Sequence, residues 1–380
     1  MNSTAELLKA LVRIPSVNPM GRSVQGPEFL ETRLTEFLTH YLVQLGLPVE
    51  RQHVLPGREN VIARWEPTSA TKTYLFEVHQ DTVPVDGMTI DPFGGEIRGG
   101  RLYGRGACDV KGSMAAMLLA LERLVRHSPS RSARVVFACT VDEEHTFLGV
   151  QRLVQGLQVD GAIVAEPTKL KIVHAHKGVV RWQLRTTGRS CHSSRPEQGI
   201  NAIYRMAQIL PHIEDYAREL QASVSDPLLG PPTLSVGRIE GGLSVNTVPD
   251  WCRIEIDRRL IPGETPEGAF SRFESDLRQR VPDGVAFECM PPWLHCPALP
   301  TQRGTEMALA LERSLIAVLG RCEYEAVPYG TDASTLAAAG IPAVVFGPGD
   351  IAQAHTCDEW IDLDEVQTAA EILYHLATQA

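Results

Sequence analysis

The 380-residue chain has no excess of positive charge, no Cys-x-x-Cys pair and few aromatic residues. It has 36 Lys and Arg against 46 Asp and Glu, a net charge of −10, so the basic footprint that nucleic acid or an anionic membrane surface requires is missing. A spanning helix needs about 20 consecutive apolar residues, and no such run occurs. The opening residues Met1-Asn2-Ser3-Thr4-Ala5-Glu6 carry neither the basic segment nor the apolar core of a secretory signal. The eight cysteines are not spaced as a zinc ribbon or a redox pair; in a chain of this size they read as reduced thiols, and a cytoplasmic protein is expected. Nucleotide-binding motifs fail too. Gly104-Arg105-Gly106-Ala107-Cys108-Asp109 begins like a dinucleotide fingerprint but has Asp109 where glycine is required, and Lys111-Gly112-Ser113 reverses the order of a P-loop. There is no Gly-x-Ser-x-Gly elbow and no His-Glu-x-x-His helix.

What is present is a globular composition, 43% hydrophobic and 22% charged, at a length that suits two domains. Ser3 and Glu6 form a capping box ahead of Leu7, Leu8, Leu11 and Val12, and residues 26–45 carry apolar groups at helical spacing. Continuous apolar strands at 73–79, 134–140, 161–165 and 342–346 alternate with helical stretches at 110–126, 147–156 and 332–339. This is the pattern of an α/β domain with a mostly parallel sheet and helices on both faces. Between residues 178 and 292 the texture changes to strand, long helix, two strands, helix and strand, a ferredoxin-like α+β unit. Pro291, Pro292 and Pro297 mark the return, so 178–292 is expected as an insertion in a domain made of 1–177 and 293–380.

The polar residues gather where such a sheet binds ligands, beyond the carboxyl ends of its strands. His79-Gln80-Asp81, Asp142-Glu143-Glu144 and Glu166-Pro167 each follow a strand, the fourth strand leads to His355, and Asp109 opens a helix. Singly, each has a bland reading as a solvated turn or a packed histidine. Together they are two imidazoles and at least five carboxylates on one edge, too many like charges without a counterion. A pair of divalent metals with a bridging carboxylate resolves the conflict. Asp81 is expected to accept the second ring N–H of His79. Glu143 and Glu144 divide the remaining work, one ligating and the other a general base.

These residues resemble a known family. His79-Gln80-Asp81-Thr82-Val83-Pro84, Asp91-Pro92-Phe93, Leu102 through Gly112, Asp142-Glu143-Glu144 and Glu166-Pro167-Thr168 are similar to the dinuclear metallopeptidase/amidohydrolase family. That family includes acetylornithine deacetylase, succinyl-diaminopimelate desuccinylase, aminoacylase and bacterial glutamate carboxypeptidase. The resemblance implies His79 and Glu166 on one metal, Glu144 and His355 on the other, Asp109 bridging, Glu143 as general base and Asp81 as the orienting residue. It implies two divalent ions per subunit, zinc with cobalt or manganese as alternatives, and a cis peptide after Asp109. In the insertion, Gly188-Arg189-Ser190-Cys191-His192-Ser193 looks like the segment whose histidine supports the oxyanion in the partner subunit's site, so a homodimer joined through a dimerisation or lid domain is implied. Asn246 and Arg259 correspond to substrate contacts, the Asp-x-Arg-x-x-Pro-Gly register selecting Arg259 over Arg258. Val110 departs from the pattern, where methionine is usual. The implied reaction is hydrolysis of the amide of a small N-acyl amino acid or short peptide. Glu166 through Leu170, His176-Lys177-Gly178 and Cys108 look most like the acetylornithine deacetylase branch. A desuccinylase, a dipeptidase or carboxypeptidase, and a catalytically silent binding protein on the same fold are the alternatives.

Overall fold

The computed structural model describes residues 3–379. The chain divides into two compact units: one runs up to His174 and resumes at Thr301–Ala326 and from Thr331 onward, and the other is Ala175–Pro300 with Val327–Gly330. The second unit keeps the chain beyond the prolines at 291 and 292 because the short strand Leu294–Cys296 pairs antiparallel with Gly178–Thr187.

In the first unit, Thr73–His79, Arg134–Thr140, Gly161–Val164 and Ala343–Val345 form the parallel centre of an eight-stranded sheet. Its flanks run antiparallel: Val49–Leu55 and Arg58–Trp65 on one side, and on the other the start of Ile172–His176, where Val173 pairs with Val345. Both faces are covered, which is why the central strands are apolar at nearly every position. Tyr74, Phe76 and Val78 join a core with helices Thr4–Val12, Gly112–His127, Glu306–Leu319 and Leu363–Thr378. Leu75, Val136, Ala138, Ala162 and Val164, which point the other way, are buried as well. The first helix starts where its cap predicts, with the Ser3 side chain accepting the Glu6 N–H at 3.3 Å. The second starts at Thr32 and not near 26, because Leu30 takes a left-handed φ of 63° and the Glu31 side chain is spent on Arg58 instead of capping.

The second unit has the order strand, helix, strand, strand, helix, strand expected of a ferredoxin-like fold. Trp251–Leu260 lies between Thr233–Gly241 and Gly178–Thr187, and Phe287–Cys289 flanks the latter. Its helices Ala202–Ser223 and Pro266–Arg280 close over Trp182, Leu184, Ile254 and Ile256. The strand after Gly241 does not resume until Trp251, since Gly242 turns the chain at φ 75° and Pro249 lacks the N–H that a ladder needs.

His176 is fully buried, and burial holds its ring down to about 4. The unfolded chain takes up that proton near pH 6.5 and the folded one only near 4, so this residue's contribution to stability falls as pH drops through that window. The full swing is about 3 kcal/mol. The stability difference between wild type and His176→Gln, measured by urea unfolding, is therefore expected to shrink from pH 7.5 to pH 4.5. A difference that stays constant would show that the ring is protonated in the folded state.

Candidate metal centre

The parallel register brings the polar strand ends level. His79 pairs with Thr140, one residue short of the turn bearing Asp142, and Glu77 pairs with Val164, two residues before Glu166. The loop to His355 comes close behind, and it needs Gly347 to do so: a Cβ there would stand 2.5 Å from the Glu166 carbonyl oxygen.

Asp109 sits between the two imidazoles. Its Oδ1 lies 3.1 Å from His79 Nε2 and its Oδ2 lies 3.2 Å from His355 Nε2. His355 Nε2 is also 3.2 Å from Glu144 Oε1, and His79 Nε2 is 3.9 Å from Glu166 Oε1. Donor atoms of His79, Asp109 and Glu144 all fall within 4.8 Å of one another, as do those of His79, Glu143 and Glu166. The residues read from the sequence as ligands and base are thus one cluster, buried except for Glu144, which is half-buried, and His355, which is exposed.

Its electrostatics call for more positive charge. Burial, and then the nearby carboxylates, push Glu143, Glu144 and Glu166 above the usual carboxyl range. Burial works against the charged rings of His79 and His355, but Asp109 and the neighbouring carboxylates outweigh it, raising His79 well above its usual range and His355 to about 11. Divalent cations relieve both strains: they suppress the carboxyl pKa values and take the imidazole lone pairs. The donors are all imidazole nitrogen and carboxylate oxygen, which fits zinc and other borderline divalent ions. One carboxylate oxygen facing each imidazole fits a bridged pair of ions.

The supporting contacts include one correction and several residues that the sequence did not reveal. His79 Nδ1 meets the backbone carbonyl of Asp81 at 2.9 Å, while the Asp81 carboxylate stays 3.8 Å away. That carboxylate is taken by three donors: the N–H groups of Glu143 and Glu144, each at 3.2 Å, and Asn18 Nδ2 at 2.8 Å. Asp81 therefore orients the two glutamates through its side chain and His79 through its main chain. Asn18 Nδ2 also reaches Asp142 Oδ1 at 3.0 Å, and Arg58 ties Asp142 to the buried Glu31. Asp142 is held at a left-handed φ of 68°, which turns the chain so that Glu143 and Glu144 follow. The Asp109–Val110 peptide is cis, as the resemblance implies. Gly106 before it has φ 81°, and a Cβ there would stand 2.7 Å from Thr82 Cγ2.

His192, Asn246 and Arg259 belong to the second unit. The loops bearing the first two zip together: His192 bridges to Thr247, and the Ser193 N–H donates to the Asn246 carbonyl at 3.0 Å. Both side chains are exposed. Strand alternation separates the two arginines. Arg258 points into the core and pairs with Glu264, while Arg259 faces out and is held by Asp257 at 2.7 Å. Cys108 is buried and its thiol donates to the Asp350 carbonyl at 3.3 Å, so it offers no nucleophile.

Residues 75–379 match the peptidase family M20/M25/M40. Acetylornithine deacetylase of Myxococcus xanthus is 32% identical over 351 residues, covering 90% of each chain. That of Pectobacterium carotovorum subsp. carotovorum is 32% identical over 384 residues, covering 97% of this chain and 95% of its own. Among solved structures, the M20 family metallo-carboxypeptidase Sso-CP2 from Sulfolobus solfataricus aligns with a TM-score of 0.81 at 21% identity, over 100% of this chain and 99% of that one. The di-peptidase Dug1p from Saccharomyces cerevisiae aligns at 0.77 and 15% identity, over 99% and 96%. At those identities the structures bear on the fold alone. A metal-dependent hydrolase is the class of protein that these comparisons and this cluster define. Within that class, the chain belongs to the peptidase family M20/M25/M40.

Proposed function

We propose that this protein hydrolyses the amide bond of an N-acyl amino acid, with N-acetylornithine as its substrate. The observation that carries the reading is the Asp109 carboxylate shared between His79 and His355, with Glu143 in the same cluster. The names of the two curated relatives described above support the choice of acyl group and amino acid. His79 and Glu166 would hold one divalent ion, Glu144 and His355 the other, and Asp109 both. When bound, the ions, zinc in our reading, supply Lewis acidity and a water acidic enough to react near neutral pH. Glu143 takes the proton of the attacking water and returns it to the leaving amine nitrogen as the amide C–N bond breaks. Its burial and the neighbouring Glu166 favour a carboxyl able to hold that proton in transit. His192 would donate to the developing oxyanion. Arg259, fixed by Asp257, would bind the substrate carboxylate together with Asn246.

The second unit would serve as lid and dimerisation domain of a cytoplasmic homodimer. Support for an interface there comes from Tyr204, Leu243 and Val245, which leave 69%, 92% and 100% of their surface exposed.

A hydrolysis panel tests the proposal: N-acetylornithine, N-succinyl-diaminopimelate, acetylated neutral amino acids and dipeptides, each with added Zn²⁺, Co²⁺ or Mn²⁺. N-acetylornithine is expected to give the highest kcat/KM. Arg259→Met is expected to cost about 1.5–3 kcal/mol, the worth of a hydrogen bond to a charged group, mainly through KM. Preference for a dipeptide or for the succinyl substrate would replace the substrate assignment, and no turnover on any member with metal bound would replace the enzyme reading.

A further inference from the structure

Glu359 lies four residues beyond His355 and is completely buried, yet it is not among the residues grouped as candidate metal ligands. Its carboxylate is saturated by donors from a single loop. Oε2 accepts from Arg105 Nη1 at 2.7 Å and from the Gly106 N–H at 3.1 Å. Oε1 accepts from the Cys108 N–H at 2.8 Å and from the Asp109 N–H at 3.0 Å. The Glu359 carbonyl takes the Gly104 N–H at 3.0 Å. The residues that follow, Trp360–Asp362, pair antiparallel with Arg101–Tyr103 on the other side of the same loop.

We propose that Glu359 is a positioning residue that fixes the bridging carboxylate Asp109 in register with His355, and so sets the affinity of both metal positions. The inference rests on the metal reading given above and not on any substrate. Two ligand-bearing segments meet here: one carries Asp109, the other carries His355, and the Glu359 side chain joins the first to the second through the backbone amide of Asp109 itself. Asp109 is the residue for which a small displacement costs most, because its two oxygens face different imidazoles. A shift that improves one distance lengthens the other.

Glu359→Gln is nearly isosteric and separates this role from simple packing. The amide has one oxygen; its NH2 cannot accept, so in either orientation two of the four donors of the loop lose their acceptor. Groups that support ligands in this way typically change metal affinity by about 10- to 100-fold when altered. The expected result, measured by chelator competition at a temperature where circular dichroism shows the variant folded, is a loss in that range for both ions. The visible spectrum of the Co²⁺-loaded variant shifts, and kcat falls with KM near wild type. Leu373→Ala, a core change away from the site, lowers the melting temperature but leaves metal affinity and the Co²⁺ spectrum unchanged. Arg105→Lys keeps the charge and the three amide bonds; it gives a smaller loss in the same direction and serves if Glu359→Gln does not fold. Folded Glu359→Gln or Arg105→Lys with wild-type affinity and spectrum overturns the proposal. Wild-type protein that binds no divalent ion overturns the metal reading instead, and the two failures are distinct because neither measurement needs a substrate.

Discussion

Glu143→Gln is expected to retain both metal ions and to lose at least about 10²-fold in turnover, the usual cost of removing a positioned general base. Both adjacent glutamates lie in the cluster, but their surroundings differ. Glu144 Oε1 stands 3.2 Å from His355 Nε2 and shares that ring with Asp109. Glu143 lies on the other side, grouped with His79 and Glu166, and is pushed up by burial first and then by the Glu166 charge. A carboxyl in those surroundings takes up a proton readily, as the proposed reaction requires of it. Gln keeps the volume and the backbone N–H bond to Asp81 but has no exchangeable carboxyl proton. Metal analysis decides the assignment. If Glu143→Gln loses an ion while Glu144→Gln keeps both, the roles of ligand and base are reversed.

Asp109→Ala is expected to have the widest effect, because the change removes one oxygen from each of the two proposed metal positions at once. Metal content should fall from two ions per chain to less than one, and turnover to background. The loss should also appear in stability. A ligand present at about 100 times its dissociation constant adds about 2.7 kcal/mol to the folded state, so wild-type protein melts higher with Zn²⁺ than with a chelator. In Asp109→Ala that gap should close. An active variant holding one ion at full occupancy would show that Asp109 serves a single metal.

Much of this site was legible because its residues sit at the ends of strongly apolar strands. Thr73–His79 and Arg134–Thr140 are buried on both faces, so their hydrophobic runs stand out and their polar ends are marked by contrast. Parallel pairing then requires those ends to share one edge, which brought His79, Glu143, Glu144 and Glu166 together on paper. The residues missed are of another kind. The strand Val49–Leu55 is largely polar, an edge strand with little to bury, and it leaves no periodic trace. Arg58, Asn18, Glu31 and Glu359 carry no local pattern either, for their partners lie far off in the chain.

The α/β core, the ferredoxin-like second unit and the set of imidazoles and carboxylates are thus readable along the chain, since each of these follows from local periodicity and strand ends. How that set is held depends on contacts between segments far apart in the chain. The fold gave the His79 ring to the Asp81 carbonyl and the Asp81 carboxylate to the two glutamate amides, and it joined the buried Glu359 to the Asp109 amide. The physical reason is that a buried polar group must find its partners wherever the fold brings them, and hydrogen bonding across long separations leaves no mark on the residues in between.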